Sequence, residues 1–325
     1  MMSSKKKVLI ITYYWPPAGG PGVQRWLKFS KYLRDYDIEP VIYTIDNPTY
    51  PILDSSSENE IPKGIEVLKQ PIFELNSILS FFGVNNKKGS AGFLNPNPTL
   101  FGKMIQYIRA NFFIPDARKF WIQPSVNFLS NYLKNHKIDA VISTGPPHSV
   151  HLIGLKLKKQ LGIKWISDFR DPWTEIDYFK QLPLTKKATK KHLQLEREVL
   201  VNSDMTIVVG ETMKQKYLKH TSSIEVITNG FDTIQNSLPQ KLDSNFSITH
   251  VGSMNSDRNP QILWDVLKEI CDSNSDFKND LRIKFIGKID DSVLQDVKVF
   301  EQKTIIRIPY VDHKDVNSYQ VSSQV

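Results

Sequence analysis

The opening of the chain is a buried strand followed by a glycine-rich loop and an amphipathic helix. Residues 8–11 form an apolar run rich in β-branched side chains, which a Pro-Pro pair ends and three glycines follow. Apolar side chains then recur at helical spacing from Trp26 to Leu33. A strand that turns through glycines into a helix is the building unit of doubly wound α/β sheets, so this stretch constrains the fold strongly.

The glycine loop is open to a ligand because of its residue types. Glycine has no Cβ, so a phosphate or a sugar hydroxyl can approach the backbone N–H groups at the positive end of the next helix. The spacing of Gly19, Gly20 and Gly22 matches neither the dinucleotide fingerprint nor the Walker loop. Alone, the loop is explained equally well as a tight turn whose entry angle is set by Pro16 and Pro17.

Length, composition and net charge indicate the number of domains and the kind of partner that this chain can have. A chain of 325 residues with 40% apolar and 23% charged residues is globular and long enough for two domains. The net charge of +8 predicts anionic partners such as nucleotide phosphates or an acidic membrane surface. No basic patch is interleaved with aromatic residues, so we expect no nucleic-acid partner. The basic cluster at 186–191 is interpreted as the solvated side of a helix, with attraction to a membrane surface as the alternative.

The cysteine and hydropathy patterns favour a cytoplasmic protein. Cys271 is the single cysteine, and its apolar helical surroundings predict a buried structural thiol. The sequence has neither a signal-peptide core before the first strand nor a run of about 20 apolar residues that could span a membrane. It also shows no spacing typical of metal ligands, so we expect no bound metal.

The strand, loop and helix pattern recurs along the chain and predicts a doubly wound α/β fold with two domains. A polar stretch divides the sequence into an amino-terminal domain over 1–232, a linker over 233–245 and a second domain over 246–325. Only 80 residues follow the linker, which is too few for a complete doubly wound domain. We therefore expect the second domain to be incomplete in this chain.

One region departs from the alternating pattern. Positions 73–82 and 100–114 are amphipathic and aromatic, and a Gly/Asn/Lys-rich loop through Asn97 separates them. The apolar positions are few enough for one core-facing stripe, which favours two helices packed on the sheet. A lid, a wall of an acceptor site and an element that dips into a membrane are the alternatives.

Two polar stretches follow predicted strands and supply candidate site residues. The first, 143–149, passes through a Pro-Pro turn to His148. The second places Asp168, Arg170 and Asp171 within four residues at a strand end. Charged groups there need pairing or water, so this cluster is either an Arg170 salt bridge that ties the loop to its neighbours or a constellation that contacts sugar hydroxyls. Both stretches are expected at the carboxyl edge of the sheet, where doubly wound folds bind ligands.

Five motifs in order give the chain a resemblance to a known family: the opening Tyr-Trp-Pro-Pro-Ala-Gly-Gly loop, 143–149, 168–173, 229–232, and Gly252-Ser253 with Arg258-Asn259-Pro260. Taken together, the motifs resemble those of the retaining glycosyltransferases of the GT-B fold, of the family-4 type that builds bacterial cell-surface polysaccharides. The resemblance spans nearly the whole chain. It implies two Rossmann-like domains facing a cleft, the first mainly for the acceptor and the second for the nucleotide-sugar donor.

The resemblance also implies a role for each candidate residue. Gly19 and Gly20 would face the donor phosphate or sugar. Gly252 and Ser253 would let the diphosphate approach, and Arg258 would neutralise its charge as the nucleotide leaves. The side chains implied on the sugar and acceptor side, as catalytic candidates, are His148, Asp168, Arg170 and Asp171. His148 or His151 is equally explained as a residue that stabilises the loop.

The implied reaction is transfer with retention of configuration, without a metal or other cofactor, from a nucleotide-diphosphate sugar to a polysaccharide or lipid-linked acceptor. A peripheral contact with the inner membrane fits such an acceptor. The family carries two donor-binding glutamates seven residues apart, and the sequence ends before that region, so we expect weak or no transferase activity. The alternatives are a non-catalytic carbohydrate- or nucleotide-binding protein of the same fold and an epimerase or other enzyme on the same architecture.

Overall fold

The computed structural model describes residues 5–72, 99–231 and 241–325, apart from the side chains of Asp177 and Tyr178. The chain divides into two compact units, Met1–Phe231 and Asp232–Val325, called unit 1 and unit 2 below. The helix expected at 73–82, the loop through Asn97 and positions 233–240 of the expected linker lie outside the described residues.

Unit 1 is built on a parallel sheet of seven strands in the order β3-β2-β1-β4-β5-β6-β7. The strands are β1 Lys6–Thr12, β2 Ile38–Ile45, β3 Glu66–Gln70, β4 Ala140–Gly145, β5 Trp165–Phe169, β6 Met205–Val208 and β7 Ile224–Val226. The strand order reverses between β1 and β4, and the carboxyl ends of these strands flank the position where doubly wound sheets bind ligands. The α/β fold expected from the sequence is confirmed.

Helices cover both faces of this sheet. They are α1 Pro21–Tyr32, α2 Leu100–Phe112, α3 Ile122–Asn135, α4 Ser149–Leu161, α5 Lys186–Asn202 and α6 Glu211–Tyr217. Strand β1 shows why two layers are needed: Leu9 and Ile11 belong to one buried cluster, whereas Val8 and Ile10 belong to another. Successive side chains of a strand point to opposite faces, so an unbroken apolar strand requires burial on both sides.

The second of these helices corrects an expectation. Helix α2 occupies the amphipathic stretch at 100–114, but none of its side chains is buried, so the expected core-facing stripe is wrong. The helix is held at its carboxyl end, where Asn111 donates to the Pro183 carbonyl at 2.8 Å and accepts from the Thr185 N–H at 2.7 Å. Its apolar side chains therefore lie on the surface of unit 1.

Unit 2 contains a parallel sheet in the order β10-β9-β8. Its elements are β8 Ser247–Val251, α7 Gln261–Ser273, α8 Ser275–Asp280, β9 Arg282–Ile286, α9 Asp291–Asp296, β10 Ile305–Ile308 and α10 His313–Ser322. Val325 lies along the other edge of β8, where its N–H donates to the Ser247 carbonyl at 3.1 Å and its carbonyl accepts from Thr249 at 2.9 Å. The order β10-β9-β8 in unit 2, with Val325 along the other edge of β8, matches the order β3-β2-β1 in unit 1, where β4 lies along the other edge of β1. The incompleteness of this domain stays a prediction.

Two smaller observations concern the thiol and the helices. Cys271 is a free, buried cysteine in the core of unit 2, as predicted, and burial raises the pKa of its thiol. Among the helices of the described ranges, none is both long enough and apolar enough to cross a bilayer.

A close contact between α4 and β5 gives the first test of the packing. A Cβ added at Gly154 would lie 2.2 Å from Nε1 of Trp165, the atom that donates to the Ser143 hydroxyl at 2.9 Å. Gly154→Ala should therefore displace the indole and lower the unfolding free energy by roughly 1–3 kcal/mol, despite the better helix propensity of alanine. A urea titration monitored by tryptophan fluorescence measures this change in unfolding free energy.

The matched control is Gly210→Ala, because a Cβ there meets no atom within 4 Å and the glycine is extended, at φ −163°. Because Gly210 is the N-cap residue of α6, where alanine is less favourable than glycine, that variant should lower stability by less than about 1 kcal/mol. Equal stability of the two variants would contradict the packing described for α4.

Candidate active site

The carboxyl ends of β1, β4 and β5 bring together the candidate residues of unit 1. Thr12 pairs with Thr144, and Thr144 pairs with Asp168, so the three side chains stand in a row across the sheet. The loops that leave these strands carry the opening glycines, His148 and the stretch from Asp168 to Asp171. A parallel sheet presents such loops at one edge, so strand pairing itself assembles this region.

The Asp168 carboxylate is fully buried and accepts four hydrogen bonds. Arg25 donates from Nε to Oδ2 at 3.3 Å and from Nη2 to Oδ1 at 3.0 Å. Trp26 Nε1 donates to Oδ2 at 2.7 Å, and the Thr144 hydroxyl donates to the same oxygen at 2.8 Å. These donors use the acceptor capacity that a carboxylate offers. The geometry favours a positioning role for Asp168 within unit 1 over direct contact with a sugar.

Arg25 is the central residue that sequence reasoning missed. Its guanidinium is buried and also donates from Nη1 to the Thr228 carbonyl and to Asn229 Oδ1, both at 3.1 Å, and from Nη2 to the Ile227 carbonyl at 2.9 Å. Through Arg25, α1 is joined to β5 and to the segment that follows β7. The sequence held one signal, because position 25 lies among the apolar side chains of a helix, where a charge requires a buried partner.

Arg170 ties the loops together, although not as the simple salt bridge that the sequence suggested. Its guanidinium donates to backbone carbonyls of Gly22, at 2.6 Å, of Gly145, at 3.3 Å, and of Pro146. Its charged carbon lies 5.9 Å from the centre of the Tyr14 ring. A Cβ at Gly22 would lie 2.7 Å from Arg170 Nη1, so glycine is needed there for close approach. Arg170 thus fixes the opening loop against the loop after β4.

The opening loop is itself hydrogen-bonded within unit 1. The Gly19 N–H donates to the Ile52 carbonyl at 2.9 Å. Gly20 is the N-cap residue of α1 and has a φ of 90°, a conformation that favours glycine. These bonds account for both glycines structurally, and their contact with a donor phosphate stays a prediction.

Two histidines follow the Pro-Pro turn. His148 is 8% exposed and stacks on Trp173 with ring centres 4.6 Å apart, and its Nδ1 has no hydrogen-bond partner among the described residues. His151 is fully buried, stacks on Phe169 at 4.4 Å, and has Nδ1 3.0 Å from the Ser143 hydroxyl. Both histidines are therefore buried, and His148 is the less completely buried of the two.

Burial sets the charge of these histidines. Burial lowers the pKa of His148 well below its usual value of 6.5, and the nearby His151, His192 and Arg170 act in the same direction. Burial, with a smaller effect of Arg170, lowers the pKa of His151 to about 3. Both imidazoles are consequently neutral at pH 7.

Asp116 and Arg118 connect the segment after α2 to the same edge. Asp116 accepts from the Ser149 N–H at 2.8 Å and from the Ser149 hydroxyl at 2.6 Å, which places a carboxylate at the amino end of α4. Arg118 stacks over the Tyr13 ring at 4.6 Å and donates to its hydroxyl at 3.1 Å. Sequence reasoning missed both residues because their partners are far away along the chain.

Residues of α5 and α6 hold the loop after β5 in place through hydrogen bonds. Trp173 Nε1 donates to His192 Nδ1 at 3.0 Å. The Glu196 carboxylate is buried and accepts from the Tyr217 hydroxyl at 2.8 Å, and burial raises the pKa of that tyrosine. Asp171 lies at the start of this anchored loop and is exposed, so it is the acidic candidate that can reach a ligand.

In unit 2, two glycines occupy the carboxyl ends of β8 and β9. Gly252 has a φ of 121° and Gly287 a φ of 116°, and a Cβ on Gly287 would lie 2.6 Å from the Gly252 carbonyl oxygen. Gly252, Ser253 and Arg258 are all exposed. His250 lies beside Arg258, which together with burial lowers the pKa of the histidine. The predicted donor-phosphate residues of unit 2 are thus accessible.

The side chains that could ligate a metal are scattered. Across 5–72, 99–231 and 241–325, no three side chains of His, Cys, Asp or Glu come together as a metal site would require.

Comparison with known proteins identifies the architecture. Residues 93–235 match the family model Glycosyltransferase Family 4. A structure of a mutant of S. aureus TarM in complex with Fondaparinux, alpha-GlcNAc-glycerol and UDP is 11% identical, with a TM-score of 0.57 over 98% of this chain and 80% of that one. Sucrose-phosphate synthase from Thermosynechococcus elongatus is 12% identical, with a TM-score of 0.55 over 98% and 74%. No curated protein sequence matches the chain.

An epimerase has the same architecture. A putative UDP-N-acetylglucosamine 2-epimerase from Listeria monocytogenes is 14% identical, with a TM-score of 0.54 over 98% of this chain and 73% of that one. At such identities the likeness shows the GT-B fold alone. The family match over 93–235 supports a glycosyltransferase.

The buried ion pair gives a second prediction. Asp168→Asn would leave the Arg25 guanidinium buried against a neutral amide, so the unfolding free energy should fall by about 3–5 kcal/mol. Tryptophan fluorescence in a urea titration is suitable, because five of the six tryptophans lie in unit 1. The control is Glu198→Gln at the exposed pair with Lys159, which should change stability by less than about 1 kcal/mol. Similar losses in the two variants would argue against the role given to Asp168.

The histidines give a third prediction. Below pH 6.5 the unfolded chain takes up protons that folded His148 and His151 do not, so stability should fall as the pH is lowered from 6.5 to 5. Each histidine contributes up to about 1.4 kcal/mol per pH unit. His151→Gln should make this slope shallower by that amount in urea titrations at several pH values. An unchanged slope would show that His151 is protonated in the folded protein.

Proposed function

We propose that the chain is a retaining glycosyltransferase that moves a sugar from a nucleotide-diphosphate sugar to a polysaccharide or a lipid-linked acceptor. The observation that carries this proposal is the family match over 93–235, a range that includes the ends of β4 and β5. Among the candidate side chains at those strand ends, Asp171 is exposed and His148 keeps 8% of its surface accessible.

Unit 2 is proposed to hold the donor diphosphate. A Cβ added at Gly252 would meet no atom within 4 Å, so this glycine leaves the end of β8 open to a phosphate, whereas Gly287 lets the Gly252 carbonyl pack closely against β9. The exposed Ser253 hydroxyl can donate to a phosphate oxygen, and Arg258 supplies a permanent positive charge in a geometry that suits phosphate. The charge of Arg258 would stabilise the nucleotide diphosphate as it leaves.

Unit 1 is proposed to hold the acceptor side. His148 and Asp171 are assigned contact with the sugar or the acceptor, while Asp168 and Arg170 hold the loops that carry them. His148 is neutral at pH 7 and can therefore accept or donate a hydrogen bond to a hydroxyl without adding charge. Gly19 and Gly20 are assigned close approach to the donor phosphate or sugar.

The proposed reaction needs only donor and acceptor. The bond between the anomeric carbon and the diphosphate oxygen breaks, and the acceptor oxygen bonds to the same face of that carbon. The acceptor proton passes to the departing diphosphate, which balances the step. No metal or other cofactor is part of this proposal.

We further propose that the activity serves bacterial surface glycan synthesis, in the cytoplasm beside the inner membrane. The TarM complex contains UDP and alpha-GlcNAc-glycerol, which is a nucleotide together with a glycosylated polyol. A donor and an acceptor of these chemical classes would suit an exposed phosphate site and a polar strand edge.

A second candidate function is a non-catalytic carbohydrate- or nucleotide-binding protein of the same fold. One observation favours it: Asp168 and Arg170, two of the four catalytic candidates, are committed to hydrogen bonds within unit 1. Turnover separates the two functions, because a binding protein would bind donor without releasing nucleotide.

The binding test gives a fourth prediction. Thermal-shift measurements with UDP-, GDP- and ADP-sugars should reveal one stabilising donor, worth about 2.7 kcal/mol at 100 times its Kd. Arg258→Ala should weaken that donor roughly 10- to 100-fold, because a charge-assisted hydrogen bond to phosphate is lost. The matched control is Arg282→Ala, since Arg282 begins β9 at the opposite end of the strand and donates to backbone carbonyls.

Released nucleotide and the configuration of the product, followed by NMR, then test the chemistry. Retention of the anomeric configuration supports the proposed reaction, and inversion contradicts it. Donor binding without nucleotide release in the presence of glycan acceptors would favour the binding protein. Stabilisation that survives Arg258→Ala would show that the diphosphate binds elsewhere.

A further inference from the structure

Helix α2 carries a largely apolar face, interrupted at Asn111, that unit 1 does not bury. The exposed fractions are 86% for Leu100, 53% for Phe101 and 63% for Phe112. With about 100° per residue, the exposed apolar side chains fall within an arc of about 140°. They are Leu100, Phe101, Met104, Tyr107, Ile108 and Phe112. A soluble surface rarely leaves so many large apolar side chains together unless they contact a partner.

The charge around this apolar arc has one sign. Residues 99–115 contain no Asp or Glu, and neither do residues 181–195. Lys103 and Arg109 lie on the two borders of the arc, and the amino-terminal turns of α5 add four exposed lysines. They are Lys186, Lys187, Lys190 and Lys191.

Direct contacts join the two helices into one surface. Asn111 of α2 hydrogen bonds with the Pro183 carbonyl and the Thr185 N–H, and Thr185 is the N-cap residue of α5. The lysines of α5 therefore begin beside the carboxyl end of the apolar arc. The six apolar side chains of α2 together with Lys103 and the four lysines of α5 are called the α2–α5 face.

A groove extends the apolar surface. Lys119 contacts the end of α2 by donating to the Phe112 carbonyl at 2.5 Å, and its ammonium group lies 5.1 Å from the centre of the Phe113 ring. Lys119 and Phe120 also line a groove of about 500 Å³ formed by α3, α4 and α5, whose walls include Leu152 and Leu155 together with Lys156, Lys159 and Glu198. A groove with apolar walls, three lysines and one glutamate has a net positive lining, which suits acyl chains below anionic head groups.

We propose that unit 1 docks on a bilayer rich in anionic lipid through the α2–α5 face. Long apolar side chains enter the interface, and the lysines lie at the level of the lipid phosphates, where each is attracted to the negative surface. An exposed apolar face alone does not define this partner: α7 in unit 2 exposes Ile262 and Val266 but places Asp265 and Glu269 among them. The absence of acidic residues distinguishes the α2–α5 face.

The face is linked to the candidate site of unit 1. The segment that follows α2 carries Asp116, which caps α4 next to His148, and Arg118, which stacks on Tyr13 of the opening loop. Docking would therefore bring the strand edge close to the lipid head groups. This inference deepens the proposed function, which includes lipid-linked acceptors, but it stands on the surface residues alone.

Vesicle co-sedimentation of the full chain provides the fifth prediction. The chain should bind vesicles of equal parts phosphatidylcholine and phosphatidylglycerol, and binding should weaken with added salt and be absent with phosphatidylcholine alone. Substituting glutamine for all four α5 lysines should reduce binding by roughly 100- to 1,000-fold, since each basic residue near the surface contributes up to about 1 kcal/mol of attraction. The triple variant Phe101→Ser, Met104→Ser and Tyr107→Ser should abolish it.

The control is Ile262→Ser with Val266→Ser on α7, which removes comparable exposed apolar area and should leave binding unchanged. Circular dichroism confirms that each variant is folded. Equal binding to both kinds of vesicle, or binding unaffected by the lysine or the triple variant, overturns the proposal. So does a chain that binds no vesicles but forms dimers that the triple variant dissociates, because the face would then serve self-association. The assay uses no donor or acceptor, so failure of transferase activity does not affect its result.

Discussion

The buried ion pair between Asp168 and Arg25 is the interaction on which the carboxyl edge of the sheet in unit 1 depends. Taking a carboxylate and a guanidinium out of water costs several kcal/mol per ion, and only well-placed partners compensate for it. Here the carboxylate accepts four hydrogen bonds and the guanidinium reaches three further acceptors. One pair thus holds β5, α1 and the segment after β7 in register, so the amino end of α1 cannot shift alone.

Because of this ion pair, the residues of the Asp-Phe-Arg-Asp stretch at 168–171 have different structural roles. Asp168 points inward to Arg25, Phe169 fills the core beneath His151, and Arg170 holds the backbone of the opening loop at Gly22. Asp171 is the member of the stretch that remains exposed. A motif that looked like a cluster of catalytic groups therefore mostly positions loops, and Asp171 is the one of its charged members that is exposed.

The elements of the fold are largely readable from the sequence, whereas the partners within the site are not. Apolar runs bounded by glycine and proline mark the strands, because a buried parallel strand has few other compositions. Asp168 and Arg25 are 143 residues apart, and no local pattern indicates which distant charge a buried arginine meets. The amphipathic pattern of α2 likewise predicts an apolar face but does not specify what covers it, so a core-facing stripe and an exposed face are indistinguishable in sequence.

The glycine loop after β1 in unit 1 and the one after β8 in unit 2 differ in how much free positive charge and accessible backbone they offer to a phosphate. In unit 1 the Gly19 N–H is bonded to Ile52 and the nearby arginines are occupied by backbone and carboxylate, so the loop has little unused positive charge for a phosphate. In unit 2 the corresponding strand end exposes Gly252 and Arg258. A diphosphate gains most where an arginine is accessible and the backbone can be approached closely, because charge-assisted hydrogen bonds must replace its hydration. This difference is the physical reason for assigning the diphosphate to unit 2 and the loop-ordering role to the arginines of unit 1.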